Sequence, residues 1–462
     1  MSQLHTRIAV TVELLSPLHI GTGTELLLDY DIVPHGEHTY RVDEEALLES
    51  ALLEAEGIGA QEVNRVLLGR PAVELLEESD FSDPQGKLFR YVLEGRSSKA
   101  EGRVSEQIKD VHDRLYLPGS SLKGALRTVL AWGLYAHQKR QPDLGRLGPR
   151  ARYAAQPLER DLFGRDPNRD WLRALHVEDS QALEADSRLA LHTVRVYPTE
   201  TRDSPGLNID VEAVKQGTVF HTAITVDEYG FGREEARQLG WQGKRQWIER
   251  LPILAREHAR QRLLTEAEYF KAKDGPVGAL RFYDGLINLW SALSGNELIV
   301  QIGWGAGWES KTLGSGLLRQ DDRAFERLLS QYRMTKERGR QPGDPFPKSR
   351  HLVLDRRGRP AEPLGWVRVR LEGLKGMPAV RPEEVEKPQQ AVLPAGQQTG
   401  RVVRFFGQRR FGFIKPDAGG EDIFVHVNDV TNADVLYEGQ RVAYDVEIGD
   451  KGPRAVNVRV GE

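Results

Sequence analysis

The sequence predicts an α+β chain in which two sets of strand, glycine loop, helices and strands precede a small five-stranded β-barrel. Three observations carry this reading. Apolar residues alternate at period two in "HTRIAVTVELL" and in "GTVFHTAITVD", each ahead of a helical stretch. Apolar residues recur at helical spacing in "SSLKGALRTVLAWGLYAH". Beyond Gly400 the texture changes to short alternating runs separated by Gly, Asp and Pro turns, over about 60 residues, the pattern of a small barrel.

Composition narrows the classes. The 462 residues suit two to four domains at roughly 100 to 200 residues each. Cysteine is absent, which excludes disulfides and thiolate metal sites and leaves histidines and carboxylates for any zinc; neither metal nor cofactor is expected. No apolar run approaches the ~18 residues of a membrane span, and the first residues lack the order of a secretory signal, so a cytoplasmic protein without a membrane partner is expected. Charged residues are 29% of the chain but the net charge is only -4, so any nucleic-acid contact has to be a local patch.

In chain order, "HTRIAVTVELLSPLHIGTG" reads as a strand through Ile8, Val10, Val12 and Leu14 that runs into a loop ending in Gly21 and Gly23. A helix is expected from about Asp43. In "YLPGSSLKGALRTVLAWGLYAH", Pro118 and Gly119 turn the chain and Ser120 or Ser121 caps a helix. Its core stripe is Leu122, Leu126, Val129, Leu130 and Leu134, with Lys123 and Arg127 together on another face. A strand at Gly217–Asp227 and one or two helices between Arg233 and Lys273 open the second set. "NELIVQIGWGAGWESKTLGSG" is a strand into a glycine loop, and "HLVLDRRGRPAEPLGWVRVRLEG" is two strand-like runs around a turn. The Pro-, Gln- and Glu-rich stretch after Leu374 reads as a linker. The expected domains are therefore 1–200, 201–373, a linker at 374–399, and 400–462.

In the last domain, Phe405, Phe411 and Phe413 fall on two neighbouring strands and Phe424 and His426 on a third, among Arg404, Arg409, Arg410 and Lys415. Rings interleaved with cations on one sheet face make a platform for single strands, because bases stack at about 1 to 3 kcal/mol each while cations follow the phosphates. Val402, Ile414, Ile423, Val425, Val442 and Val446 are left to fill the barrel. From Gly400 to Val460 the sequence resembles cold-shock domains, with "RRFGFI" and "IFVHV" similar to their two RNA-binding motifs and "EGQRV" and "KGPRAVNV" following. The resemblance implies an OB-type barrel. By it, Phe405 stands where a Trp is usual and keeps a π face, and Val427 stands where a Phe is usual and removes one; weaker, sequence-tolerant binding is expected.

In the body, "SPLHIGTG", "LPGSSLKGALR" and "GWGAGWESKTLG" each set glycines and small polar residues beside a strand end or helix start, where bare backbone N–H groups can meet phosphate. Taken singly, each is an ordinary turn or cap. In this order, with "LFGRDPNRDWLRALHVEDSQ" between them, they resemble the RAMP superfamily of CRISPR proteins over about residues 4–372. That resemblance implies two ferredoxin-like, RRM-like folds. "GWGAGWESKTLG" with "PLGWVRV" is similar to the fifth-subunit branch of the superfamily in type III-A Csm effector complexes. It implies a non-catalytic subunit that caps the 3′ head end of the guide, crRNA, without reading its sequence. The implied partners are crRNA, target single-stranded RNA, and the backbone and small Csm subunits. The implied contacts are His19, Gly21, Gly23, Ser120, Ser121, Lys123, Arg127, Gly303, Trp304, Gly305, Gly307, Lys311 and Thr312. Trp304 and Trp308 either stack on a base or pack in the core.

Two enzymes compete with that reading. From Gly305 the sequence is one residue from the phosphate-cradling pattern GxxxxGK[ST], with Ser310 in place of the last glycine. The glycines of "LGSG" interrupt the helix that such a loop needs after Lys311 and Thr312, which argues against ATP hydrolysis. A RAMP ribonuclease would use His19, or Asp29 and Asp31 of "LLLDYDIVP"; His112, His176, His192 and His258 are expected to be structural or exposed.

Overall fold

The computed structural model describes residues 4–54, 70–82, 88–97, 102–137, 143–197, 207–272, 275–314, 322–334, 346–372, 398–406, 411–431, 436, 440–449 and 452–460. The chain separates into two compact units, residues 1–380 and 381–462. Nearly all of the expected linker, together with Arg409 and Arg410, lies outside the described residues.

Fourteen strands build the first unit among the described residues: β1 (His5–Leu14), β2 (Gly21–Leu27), β3 (Ile32–His35), β4 (His38–Val42), β5 (Phe89–Glu94), β6 (Arg103–Gln107), β7 (Leu175–Val177), β8 (Leu189–Tyr197), β9 (Asn208–Val214), β10 (Val219–Asp227), β11 (Glu297–Gln301), β12 (Arg350–Leu354), β13 (Pro360–Pro363) and β14 (Trp366–Glu372). They form two sheets. One is antiparallel throughout, in the order β11-β14-β1-β10-β7. The other follows β2-β6-β9-β8-β5-β4-β3, with β12 on β8 and β13 on β12.

Alternation in β1 does what the sequence predicts. Ile8, Val10, Val12 and Leu14 are buried while Arg7 and Ala9 face outward. The helix Gly119–His137 lays Leu122, Leu126, Val129, Leu130 and Leu134 into the same core. It crosses the long helix Leu251–Ala272 at Gly133, where an added Cβ would come within 2.8 Å of the Leu254 side chain. A second apolar cluster joins that long helix to Val277–Ser291 through Phe270, Tyr283 and Trp366.

Several boundaries differ from expectation. Gly21 and Gly23 do not end the loop after β1; they begin β2, because the loop is only Leu15–Ile20. Two short strands, β3 and β4, precede the helix Glu44–Glu54, whose Ala46 N–H is capped by the Asp43 carboxylate at 3.1 Å. The stretch after Arg233 breaks into three helices, Arg233–Leu239, Arg245–Glu249 and Leu251–Ala272. The boundary expected at 200/201 falls between β8 and β9, which pair with each other, and both sheets draw strands from either side of it.

The second unit is a closed barrel of β15 (Gln398–Phe406), β16 (Phe411–Pro416), β17 (Ile423–His426), β18 (Arg441–Gly449) and β19 (Gly452–Val460), in the order β15-β16-β17-β19-β18. Val402, Ile414, Ile423, Val425 and Val442 fill it as expected, joined by Tyr444. Val446 does not, being 38% exposed. The register against β19 shifts between Ala443 and Asp445, and that shift turns Tyr444 inward and Val446 out.

His258 reports on the core. Its imidazole is buried on the long helix, edge-on to Trp132, and burial, with Arg262 nearby, pushes its pKa down to about 3. The folded protein therefore holds it neutral while the unfolded chain protonates it near pH 6.5. Its contribution is intact above pH 6.5 and is lost as pH falls toward 3, at about 1.4 kcal/mol per pH unit. Urea titrations at pH 6 and pH 4.5 are expected to show that slope reduced by this amount in His258→Leu.

Candidate nucleic-acid interface

Two of the three glycine segments meet. β1 and β11 both run antiparallel to β14, so their C-terminal ends, and the loops that follow, emerge at the same end of the sheet. The Trp304 N–H donates to the His19 carbonyl at 2.8 Å and ties the loops together. His19 itself is only 2% exposed, so the expectation that it contacts RNA is corrected. Its Nδ1 lies 2.6 Å from the Glu212 carbonyl and its ring is edge-on to Trp304. Burial outweighs that hydrogen bond and, with Lys109 nearby, lowers the imidazole pKa, so His19 is a neutral strut.

What the first loop exposes is backbone. Gly21 pairs with Gln107 and Glu25 with Ser105, so Thr22, Gly23 and Thr24 bulge out opposite Glu106. Gly23 has φ +93° with open space where a side chain would be, and all three bulged residues are exposed. The Thr24 N–H is turned back onto the Thr22 hydroxyl at 3.0 Å.

The second loop alternates glycines at positive φ: Gly303 at 74°, Gly305 at 84° and Gly307 at 72°. Trp304, between them, lies against two imidazoles, His19 at 5.8 Å and His351 at 4.7 Å between ring centroids. His351 was not legible in the sequence, since in "RHLVL" it looks like any strand residue. One short helical turn follows, Gly307–Lys311. Trp308 packs into an aromatic group with Phe325 and Phe346, the core alternative of the two readings. The Thr312 hydroxyl donates to the Trp308 carbonyl at 2.9 Å and accepts from the Gly314 N–H, so it closes the turn. Lys311 alone of this turn's chargeable groups points outward; it is exposed, and partial desolvation lowers its pKa. Among the described residues it has no ion-pair partner.

The third segment starts at the opposite sheet edge, against β7. The first helical N–H, of Gly119, is taken by the Asp179 carboxylate at 2.7 Å. Ser120 is exposed and Ser121 half-buried in that first turn. Lys123 is half-buried, which lowers its pKa against the opposing pull of Asp170. Arg127 is not free for phosphate: it bonds Asp170 at 2.8 Å and Glu159 at 3.0 Å and covers the Phe163 ring. That guanidinium clamps the helix to the segment 156–174. Further along, Ala125 and Val129 meet Ser310 around a cavity of about 10 Å³.

On the barrel, cross-strand register decides which rings share a face. Phe411 pairs with His426 and Phe413 with Phe424, so all four lie on one side. Phe411 and Phe424 stack at 5.5 Å, and Phe413 stands edge-on to Phe424 at 6.1 Å. Arg404 pairs with Phe413 and joins this face, with exposed Lys415 two residues along β16. Phe405 instead pairs with Gly412 and packs toward the barrel core, where a Cβ on Gly412 would come within 2.7 Å of its ring. The expectation that Phe405 supplies a π face is thus corrected; the face carries a guanidinium beside that position. Val427 is buried in the barrel.

The ribonuclease candidates are differently employed. The Asp31 carboxylate accepts the Leu27 N–H at 2.6 Å and holds the turn after β2, while Asp29 takes φ +68° within it. Among the described residues, no group of three or more His, Cys, Asp or Glu is placed to hold a metal.

Gly303 and Gly307 separate conformation from packing. A Cβ at Gly303 would lie 2.6 Å from the His19 carbonyl, whereas Gly307 has nothing within 4 Å. Gly307→Ala is expected to cost only the left-handed strain of about 1 to 2 kcal/mol in denaturant titration, and Gly303→Ala clearly more.

Comparison with known proteins agrees with this architecture. The RAMP superfamily model matches residues 11–310 and the 'Cold-shock' DNA-binding domain model residues 398–460. The chain is 25% identical to the CRISPR system protein Csm5 of Methanocaldococcus jannaschii over 323 residues, 68% of this chain and 74% of that protein. Its C-terminal part is 47% identical to the cold shock protein CspV of Vibrio cholerae over 64 residues, 13% of this chain and 91% of that one. Among solved structures, Csm5 of T. onnurineus matches at a TM-score of 0.53 and 25% identity, covering 77% of this chain and 99% of that one. A chain of a type III-A Csm–crRNA–target RNA ternary complex matches in fold at 0.56 and 24% identity, over 79% of this chain and all of that one. With the model covering well over half its length, the chain belongs to the RAMP superfamily, and it carries a cold-shock domain behind the RAMP body.

Proposed function

We propose that this chain is a non-catalytic crRNA-binding subunit of a type III-A Csm complex, capping the 3′ head end of the guide. The observation that carries the reading is the meeting of the Thr22–Thr24 bulge and the Gly303–Lys311 loop through Trp304 and His19, beside the outward Lys311. Bulged amides and one lysine suit a phosphate chain and read no base. Similarity to Csm5 and to a chain of a Csm–crRNA–target RNA complex supports membership of such an assembly; the backbone and small Csm subunits are its proposed neighbours. The expected domains at 1–200 and 201–373 are kept as a functional division, each contributing one of the two loops. The barrel face of Phe411, Phe413, Phe424 and His426 adds a second, sequence-tolerant site for single-stranded RNA, guide or target. A buried His19 and an Asp31 engaged in its own turn favour a subunit without ribonuclease activity.

In filter binding of the full chain to guide-length RNA, Lys311→Ala is expected to weaken affinity equally across spacer sequences. It should also flatten the log affinity against log salt slope by about 0.7, the effect of one lost phosphate contact to a single strand. A sequence-dependent loss would contradict the assignment. Guide or target cleavage abolished by Asp29→Ala or Asp31→Ala would replace capping with the ribonuclease reading. In the barrel, Phe413→Ala is expected to cost about 1 to 3 kcal/mol of single-strand affinity, read by fluorescence anisotropy, with the salt slope unchanged.

A further inference from the structure

The residue that spoils the nucleotide-loop pattern, Ser310, has a place of its own. It is buried, its hydroxyl donates to the Gln301 side-chain oxygen at 2.7 Å, and it accepts from the Arg262 Nε at 3.3 Å. Gln301 is the last residue of β11, and its amide nitrogen is anchored on the Leu364 carbonyl at 2.8 Å. One side-chain bond therefore cross-ties the two ends of the glycine loop. Behind it, Arg262 bonds Glu266 at 3.1 Å and lies 3.7 Å from Glu309, and Glu266 accepts from Arg350 at 2.7 Å. Arg262, Glu266 and Glu309 are each no more than 3% exposed, and Arg350 lies over the Tyr269 ring. Two cations and two carboxylates thus balance beneath a five-residue helix. Burial alone would raise the Glu266 carboxyl, but Arg350 and Arg262 outweigh it and hold it below the usual range.

We infer that Ser310, Gln301 and Arg262 are positioning residues for Lys311: they fix the rotation of the turn Gly307–Lys311 and so aim its one outward ammonium. The inference rests on the RNA-binding reading of this loop. A buried ion network is a poor way to gain stability, since apolar side chains of similar volume serve as well or better. What apolar contact lacks is direction. A single helical turn has too few internal hydrogen bonds to hold its own orientation. Here Glu309 and Ser310 face inward to Arg262, Trp308 enters the aromatic group, and Lys311, next along, is left on the solvent side of the turn. A turn fixed in advance presents the Lys311 stem toward phosphate without losing loop freedom on binding.

The test is binding of the full chain to guide-length single-stranded RNA by fluorescence anisotropy across a salt series, with thermal unfolding run alongside. Ser310→Ala cuts the cross-tie at the cost of one oxygen, and Gln301→Met cuts it from the other side. Each is expected to weaken binding about threefold to tenfold and to flatten the salt slope toward that of Lys311→Ala. Ser310→Ala combined with Lys311→Ala is expected to bind no more weakly than Lys311→Ala alone, because both remove the same contact. Unchanged affinity in either single variant, or losses that add to that of Lys311→Ala, would overturn the inference. If Lys311→Ala itself left binding intact, the RNA-binding reading of the loop would fall, and the inference with it.

Discussion

The body depends on a knot of hydrogen bonds where three distant segments cross. The Leu15 N–H bonds the Trp366 carbonyl, the Gly365 N–H bonds the Pro17 carbonyl, the Ile302 N–H bonds the Gly365 carbonyl, and the Trp304 N–H bonds the His19 carbonyl. The Ser16 hydroxyl, fully buried, accepts the Trp366 N–H at 3.0 Å. Buried backbone groups have to find partners, and here they find them mostly across the crossing, with the Ser16 hydroxyl taking the Trp366 N–H. The crossing is therefore both a structural junction and the floor of the candidate interface: the loops cannot separate without orphaning these groups.

Among the described residues, many charges are held in specific pairs. Arg90 forks onto Asp113, Arg245 onto Glu228, and Arg368 and Arg370 onto Glu13 and Glu297. Inside, Glu212 is fully buried yet takes bonds from Tyr91, Lys109 and the Gln107 N–H. The net charge of -4 reflects near-equal numbers of the two signs, 64 Lys and Arg against 68 Asp and Glu, and the fold sets many of them against each other. Affinity for a polyanion then depends on where the fold leaves cations without a carboxylate partner, a matter of position that composition cannot report.

Much of the fold was legible because its signals are local. The core stripe from Leu122 to Leu134, the alternation of β1 and the positive-φ glycines of the second loop all follow from spacing and residue type. The misreadings have a common cause: they concern residues whose surroundings are assembled from far along the chain. His19 looks like a loop histidine until β9 arrives to bury it. Arg127 looks like a helix-face cation until Asp170 and Glu159 take it. Ser310 looks like a defect in a motif until the long helix brings Arg262 beneath it. In the barrel, one residue of register separates Arg404 from Phe405, and only strand pairing reveals which of them faces out.

The pairing of β1 with β14 has a consequence for how the protein is made. Arg368 and Glu13 bond across those strands although they stand 355 positions apart in the chain. A ribosome adding roughly 5 to 20 residues per second leaves β1 without its neighbour for roughly 20 to 70 s. Throughout that interval an apolar strand with an open edge awaits closure, and β10, which flanks its other side, is the earlier partner to emerge. The chain's first strand is thus among the last to be completed, and each of the two sheets of the body is closed by strands drawn from both ends of the chain.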